Sequence, residues 1–220
     1  PLRRVAQHDG HVSALVREVA RRLAQPHQVQ RAAFPAERAA GVVDDARPVA
    51  RGGRVERRLR TLGLALVNRG IGGDTVPGLL SRLAPVLRAR PKTIVLLIGI
   101  NDLDRGAKPE AVAADLETLL ARLRAELPQT VLIVQSVLPM RDVGHGVGVA
   151  QASVSELNRL LVEACGQHQA RYLDLQPVLV DREGALDAAV TKDGIHLNGE
   201  GYLRWAALLT AELPKVDPAR

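Results

Sequence analysis

Two spacings of apolar residues alternate along the chain. Across 110–127, Val112, Leu116, Leu119, Leu120, Leu123 and Leu127 recur three or four positions apart, which predicts an amphipathic helix. The same period returns over 154–165, where Leu157, Leu160, Leu161 and Cys165 share a face, and over 11–24, where Val12, Leu15, Val16, Val19 and Leu23 form one stripe with arginines opposite. The stretch 25–40, with Pro26 and Pro35, reads as a connection. Between the helical segments stand the short apolar runs GVV (41–43), LALVN (64–68), TIVLLIG (93–99), VLIVQSVL (131–138) and RYLDL (171–175), all read as strands. Runs that are apolar throughout, rather than alternating, imply burial on both faces, hence a parallel sheet covered by helices on each side. The expected fold class is α/β, with a three-layer α/β/α architecture.

Length and composition narrow this picture. The 220 residues suffice for one well-buried domain, and no internal repeat divides them. The expected organisation is an N-terminal helical extension over 1–39, one domain over 40–213 and a tail over 214–220. Although 46% of residues are hydrophobic, no apolar run is long enough to span a bilayer and no charged-then-apolar leader opens the sequence, so a protein without a membrane span, cytoplasmic by default, is expected. The single cysteine excludes an intrachain disulfide, and Cys165 is assigned to the core. The net charge of +6 is concentrated in RPVARGGRVERRLR (47–60), a surface that could meet nucleic acid or anionic substrates. Aromatic residues make up only 2% of the chain, which leaves no base-stacking platform, so this segment is read as a solvated helix face and no nucleic-acid partner is expected. His8 and His11 stand close in HDGH, but no cluster with metal-ligand spacing accompanies them, and no metal is expected.

In open parallel sheets ligands gather beyond the carboxyl ends of the strands, so the loops there should carry the chemistry. NRGIGGDT (68–75) has three glycines whose backbone N–H groups can approach a ligand. The spacing G-x-G-x-x-G would need glycine where Thr75 stands, and no G-K-[ST] ending occurs, so neither nucleotide motif fits; Asp74 or Thr75 can equally cap the next helix. GIND (99–102) ends a strand with Asn101, whose side-chain amide can donate to an oxygen in the cleft, although Asn-Asp there also makes ordinary turns. RDVGHGVG (141–148) reads as a loop able to cover a pocket, with His145 solvated. TKDGIHLNGEGY (191–202) sets Asp193 three positions before His196, close enough for the carboxylate to fix the imidazole in one tautomer and support it as a general base.

Taken together and in this order, Asn68–Thr75, Gly99–Asp102 and Asp193–His196 resemble the SGNH hydrolases, also called GDSL esterases, over roughly residues 40–213. The resemblance implies a flavodoxin-like, five-stranded parallel sheet and a serine esterase acting on acyl esters, with neither metal nor organic cofactor. Carried over by position, it makes Gly73 a backbone oxyanion donor, Asn101 a side-chain oxyanion donor, Asp193 the orienting carboxylate and His196 the general base.

In that family the nucleophilic serine stands in a Gly-Asp-Ser stretch after the first strand. Here AAGVV is followed by DDARP, so Asp44, Asp45 and Ala46 fall on those positions. Ala46 occupies the nucleophile position with no hydroxyl, while its backbone N–H is retained as a third oxyanion donor. Asp44 brings a carboxylate toward a site meant to hold negative charge. Among other serines, Ser13, Ser81, Ser153 and Ser155 lie on helices, and Ser136 near the end of the fourth strand is the one that could face the cleft. Two readings stay open: a disarmed ester hydrolase for short acyl esters of carbohydrates or small lipids, or a binding protein that keeps an ester-shaped pocket. Nothing in the pattern sets an oligomeric state.

Overall fold

The computed structural model describes residues 67–144 and 148–213. The runs at 41–43 and 64–66, the helix at 11–24, the basic cluster at 47–60, His8, His11, His145, and Asp44, Asp45 and Ala46 lie outside the described residues.

The described chain runs α1 (Val76–Ser81), α2 (Ala84–Ala89), β1 (Thr93–Leu96), α3 (Ile100–Asp104), α4 (Pro109–Glu126), β2 (Val131–Gln135), α5 (Gln151–Gln167), β3 (Arg171–Leu173), α6 (Gln176–Leu179) and α7 (Gly199–Glu212). Its three strands form a parallel sheet in the order β1-β2-β3, with Thr93 opposite Val131 and Ile133 opposite Arg171. Val67 and Asn68, the last residues of one expected run, belong to no strand.

The side chains sort by strand alternation into two layers. Ile94, Leu96, Leu132 and Val134 face α4 and α5, where Leu116, Leu119, Leu120, Leu123, Leu157 and Leu161 are buried against them. Ile133 and Leu173 face the other way, toward Leu175 and Leu179 of the α6 region and Ala206 and Leu209 of α7. This is the three-layer arrangement the apolar runs imply. Val95 of β1 and Leu97 just beyond it are 36% and 45% exposed. Cys165 is buried in the α4–α5 layer, as its spacing predicts, and burial pushes its thiol up to about 11. No described helix is long and apolar enough to cross a membrane.

The strands are shorter than their apolar runs because the backbone must turn toward the loops at their carboxyl ends. After β1 the chain reaches Gly99 at φ 118°, which opens α3. The dihedral favours glycine, and a Cβ there would crowd Leu157 Cδ2 at 3.1 Å and Val137 Cγ2 at 3.4 Å. After β2 the ladder gives way to side chains. Asn158 on α5 accepts from Val137 N at 2.7 Å and donates to Val137 O at 2.9 Å, supplying the two bonds a neighbouring strand would have made.

Candidate active site

The Gly-rich segment is held to the end of β1 by four hydrogen bonds. Asn101 Nδ2 donates to Asp74 O at 2.9 Å, and an Arg105 nitrogen donates to Gly73 O at 2.7 Å. Val76 N donates to both oxygens of Asp102, at 3.1 and 3.3 Å. Asp102 is buried, and burial raises its pKa above the ordinary carboxylate value, opposed chiefly by the Val76 N–H. Thr75 caps α1, its hydroxyl accepting from Gly78 N at 3.2 Å, while the Asp74 carboxylate accepts from Thr75 N at 3.0 Å and pairs with Arg82.

Two consequences follow for the oxyanion donors implied by sequence. Gly73 sits at φ 76° in an exposed position, and its N–H has no hydrogen-bond partner among the described residues. Asn101 has spent one of its two amide hydrogens on Asp74 O, which leaves the second for a ligand.

The Asp193–His196 segment is a tight turn closed by its own side chains. Thr191 and Leu197 form an antiparallel bridge, and Thr191 Oγ1 donates to His196 O at 2.8 Å while accepting from Gly194 N at 3.0 Å. Asp193 Oδ1 accepts from His196 N at 2.7 Å and Ile195 N at 3.1 Å, and its Oδ2 lies 2.8 Å from His196 Nδ1. The His196 backbone N–H, then its ring, hold the Asp193 carboxyl well below the usual carboxylate range. With Nδ1 engaged by an anion, Nε2 is the nitrogen left to take a proton. Immediately after, Asn198 starts α7 by accepting from Glu200 N and Gly201 N, which fixes where the turn ends.

A third loop leans on this turn. Arg141 N donates to Gly194 O at 2.8 Å, and Gly194, at φ 76°, has no room for a Cβ because it would meet the Arg141 carbonyl. Sequence reasoning singled out Asp193, His196, Gly73 and Asn101 but missed Thr191, Asp102, Asn158 and Arg141. Thr191 had a local signal, a hydroxyl two positions before the acid; the other three meet partners distant in sequence.

Ser136 does not face a cleft. It is fully buried, its Oγ accepts from Leu175 N at 2.9 Å, and it shares a hydrogen bond with Tyr172, so it closes the sheet rather than offering a nucleophile. Ser81 is exposed on α1, with its hydroxyl donating to Gly78 O. Among the described residues neither is hydrogen-bonded to His196.

Four matches set this chain among known proteins. Residues 38–204 match the model of the GDSL-like lipase/acylhydrolase family. Over 143 residues the chain is 30% identical to platelet-activating factor acetylhydrolase IB subunit alpha2 of Rattus norvegicus, covering 64% of this chain and 61% of that one, so the match spans less than two thirds of the relative's length. Among solved structures, the lipase/acylhydrolase of Enterococcus faecalis is 28% identical with a TM-score of 0.61, covering 74% of this chain and 84% of that one. A GDSL-like lipase of Bacteroides thetaiotaomicron shares the fold, with 24% identity and a TM-score of 0.62 over 74% of this chain and 79% of that one.

Proposed function

Because the chain belongs to the GDSL-like lipase/acylhydrolase family, we propose that its site is a framework for hydrolysing short acyl esters, of carbohydrates or small lipids, in which Ala46 takes the place of the nucleophile. The observation that carries this reading is the 2.8 Å contact between Asp193 and His196 Nδ1, which fixes the imidazole with Nε2 available as base. The name of the rat relative, an acetylhydrolase, supports acetyl as the acyl group.

With serine at position 46, its hydroxyl would attack the ester carbonyl while His196 Nε2 takes the proton. The Gly73 N–H, the second Asn101 amide hydrogen and the N–H of residue 46 would stabilise the oxyanion, each worth about 3 kcal/mol in comparable sites. His196 would return its proton to the departing alcohol, and water would then hydrolyse the acyl-enzyme by the same route. With alanine there is no attacking group, and only the small residual rate from oxyanion stabilisation and binding is left. On this reading the present chain is a disarmed esterase. The second reading, a binding protein that keeps the pocket and turns nothing over, is favoured by the same alanine.

Hydrolysis of a chromogenic acetyl ester separates the readings. The chain as it stands is expected to be near the uncatalysed rate, Ala46→Ser to turn over, and Ala46→Ser with His196→Ala to lose that activity. Equal activity in the unaltered chain contradicts the nucleophile assignment. Saturable binding of an acetylated sugar, with no turnover even in Ala46→Ser, favours the binding protein.

A further inference from the structure

We propose that Arg141 is the positioning residue of the Asp193–His196 pair, clamping the turn that carries them to the hydrophobic core. This rests on the reading of His196 as the general base. The guanidinium has two anchors. Its Nε donates to Leu186 O at 2.6 Å, and a terminal nitrogen pairs with the Asp181 carboxylate. The anchors are themselves rigid. Asp181 Oδ1 accepts from Glu183 N at 3.1 Å and Ala185 N at 3.0 Å, Asp181 N donates to Ala185 O at 2.9 Å, and Val180 bridges Leu186, whose side chain is fully buried in the α6–α7 layer. The Arg141 and Asp181 side chains are 28% and 18% exposed, so the pair is shielded from much of the screening that makes surface ion pairs weak.

The other end of Arg141 reaches the turn through its main chain. Arg141 N donates to Gly194 O, and the Arg141 carbonyl packs so closely on Gly194 that only glycine fits. Gly194 and Ile195 are the two residues between the acid and the base, so a shift of the Gly194 peptide moves Asp193 and His196 relative to one another. The turn's internal bonds set its shape, and among the described residues the Arg141 contact, the Asn198 cap and Leu197, packed against the α6–α7 core, tie it to the body of the protein. A planar guanidinium can hold a carboxylate and a carbonyl at once; a lysine ammonium at that place can pair with Asp181 without the fixed fork.

The test reads the His196 tautomer by long-range nitrogen–proton NMR of the full chain, alongside kinetics in Ala46→Ser. The proposal expects the Nδ1–H form to dominate in the parent and to give way to a mixture in Arg141→Met and in Asp181→Asn, with Arg141→Lys between. In Ala46→Ser, adding Arg141→Met lowers kcat roughly 10- to 100-fold at little-changed KM, as misplacement of a base does. Arg124→Met, which breaks an arginine clamp at the opposite edge of the sheet, lowers Tm and leaves the tautomer alone, so mere destabilisation is distinguished. If Arg141→Met does not fold, Asp181→Asn and Arg141→Lys carry the comparison. An unchanged tautomer in both Arg141→Met and Asp181→Asn, or no Nδ1–H preference in the parent, overturns the proposal. Should Ala46→Ser be inactive, the esterase reading fails, while the tautomer still decides the role of Arg141.

Discussion

Asp193 is gripped by two backbone N–H groups and an imidazole, and this sets how the site responds to pH. Its folded pKa is depressed, so its contribution is present above the ordinary carboxylate value and is lost only as pH falls through the lower, folded one. In Ala46→Ser, Asp193→Asn removes the anion and favours the wrong tautomer, and kcat should fall on the order of 10³- to 10⁴-fold, measurable in the same ester assay. Asp102 has the opposite sign. Its folded pKa is raised, so its contribution is fully present below the ordinary carboxylate value and is lost as pH rises through the folded one. Asp102→Asn keeps an acceptor for Val76 N and should flatten the fall in stability with rising pH across that window. Asp102→Ala strands that buried N–H and should cost roughly 1–3 kcal/mol, both read by chemical denaturation. The acid and base were legible in the sequence because they act across three positions within one turn. Asp102, Arg141 and Asn158 were not, because each meets a partner 21 to 40 positions away and nothing local marks the pairing.

At the scale of elements, α4 was readable because its six apolar positions keep one period over five turns of helix, and the structure begins it at Pro109 and caps it at Leu127. Leu120, fully buried between α5 and the sheet, should cost roughly 2–5 kcal/mol on truncation to alanine, checked by denaturant midpoint. The strand ends were not readable, since an apolar run continues past the residue where the backbone leaves the ladder. At β1 that point is set by Gly99, and at β2 by the Asn158 side chain taking over the ladder's bonds. Arg124 on α4 does for the amino edge what side-chain clamps do for the carboxyl edge. It donates to Pro128 O, Thr130 O, His168 O and Gln169 O, joining the turns that enter β2 and β3. Its removal should lower Tm through loss of these charge-assisted bonds without altering His196.

Across the whole described molecule, the parallel sheet separates tasks by edge. The amino edge is stapled by Arg124 and by Thr130, whose hydroxyl donates to Pro91 O at 2.7 Å. The carboxyl edge carries the Gly73–Thr75, Asn101 and Asp193–His196 loops, each with a glycine or a capping residue that lets the backbone turn away from the sheet. This division was legible from the order of apolar runs and polar loops, because a parallel sheet puts every strand-to-helix loop on one side. The proposed mechanism pairs a nucleophile at position 46 with His196 as its base. Labelling Ala46→Ser with an organofluorophosphate, followed by peptide mass mapping, tests it most directly. One covalent adduct is expected, on the residue introduced at position 46, formed at a rate that collapses in the His196→Ala background and absent from the unaltered chain. An adduct on Ser136, or equal labelling of the unaltered chain, would contradict it.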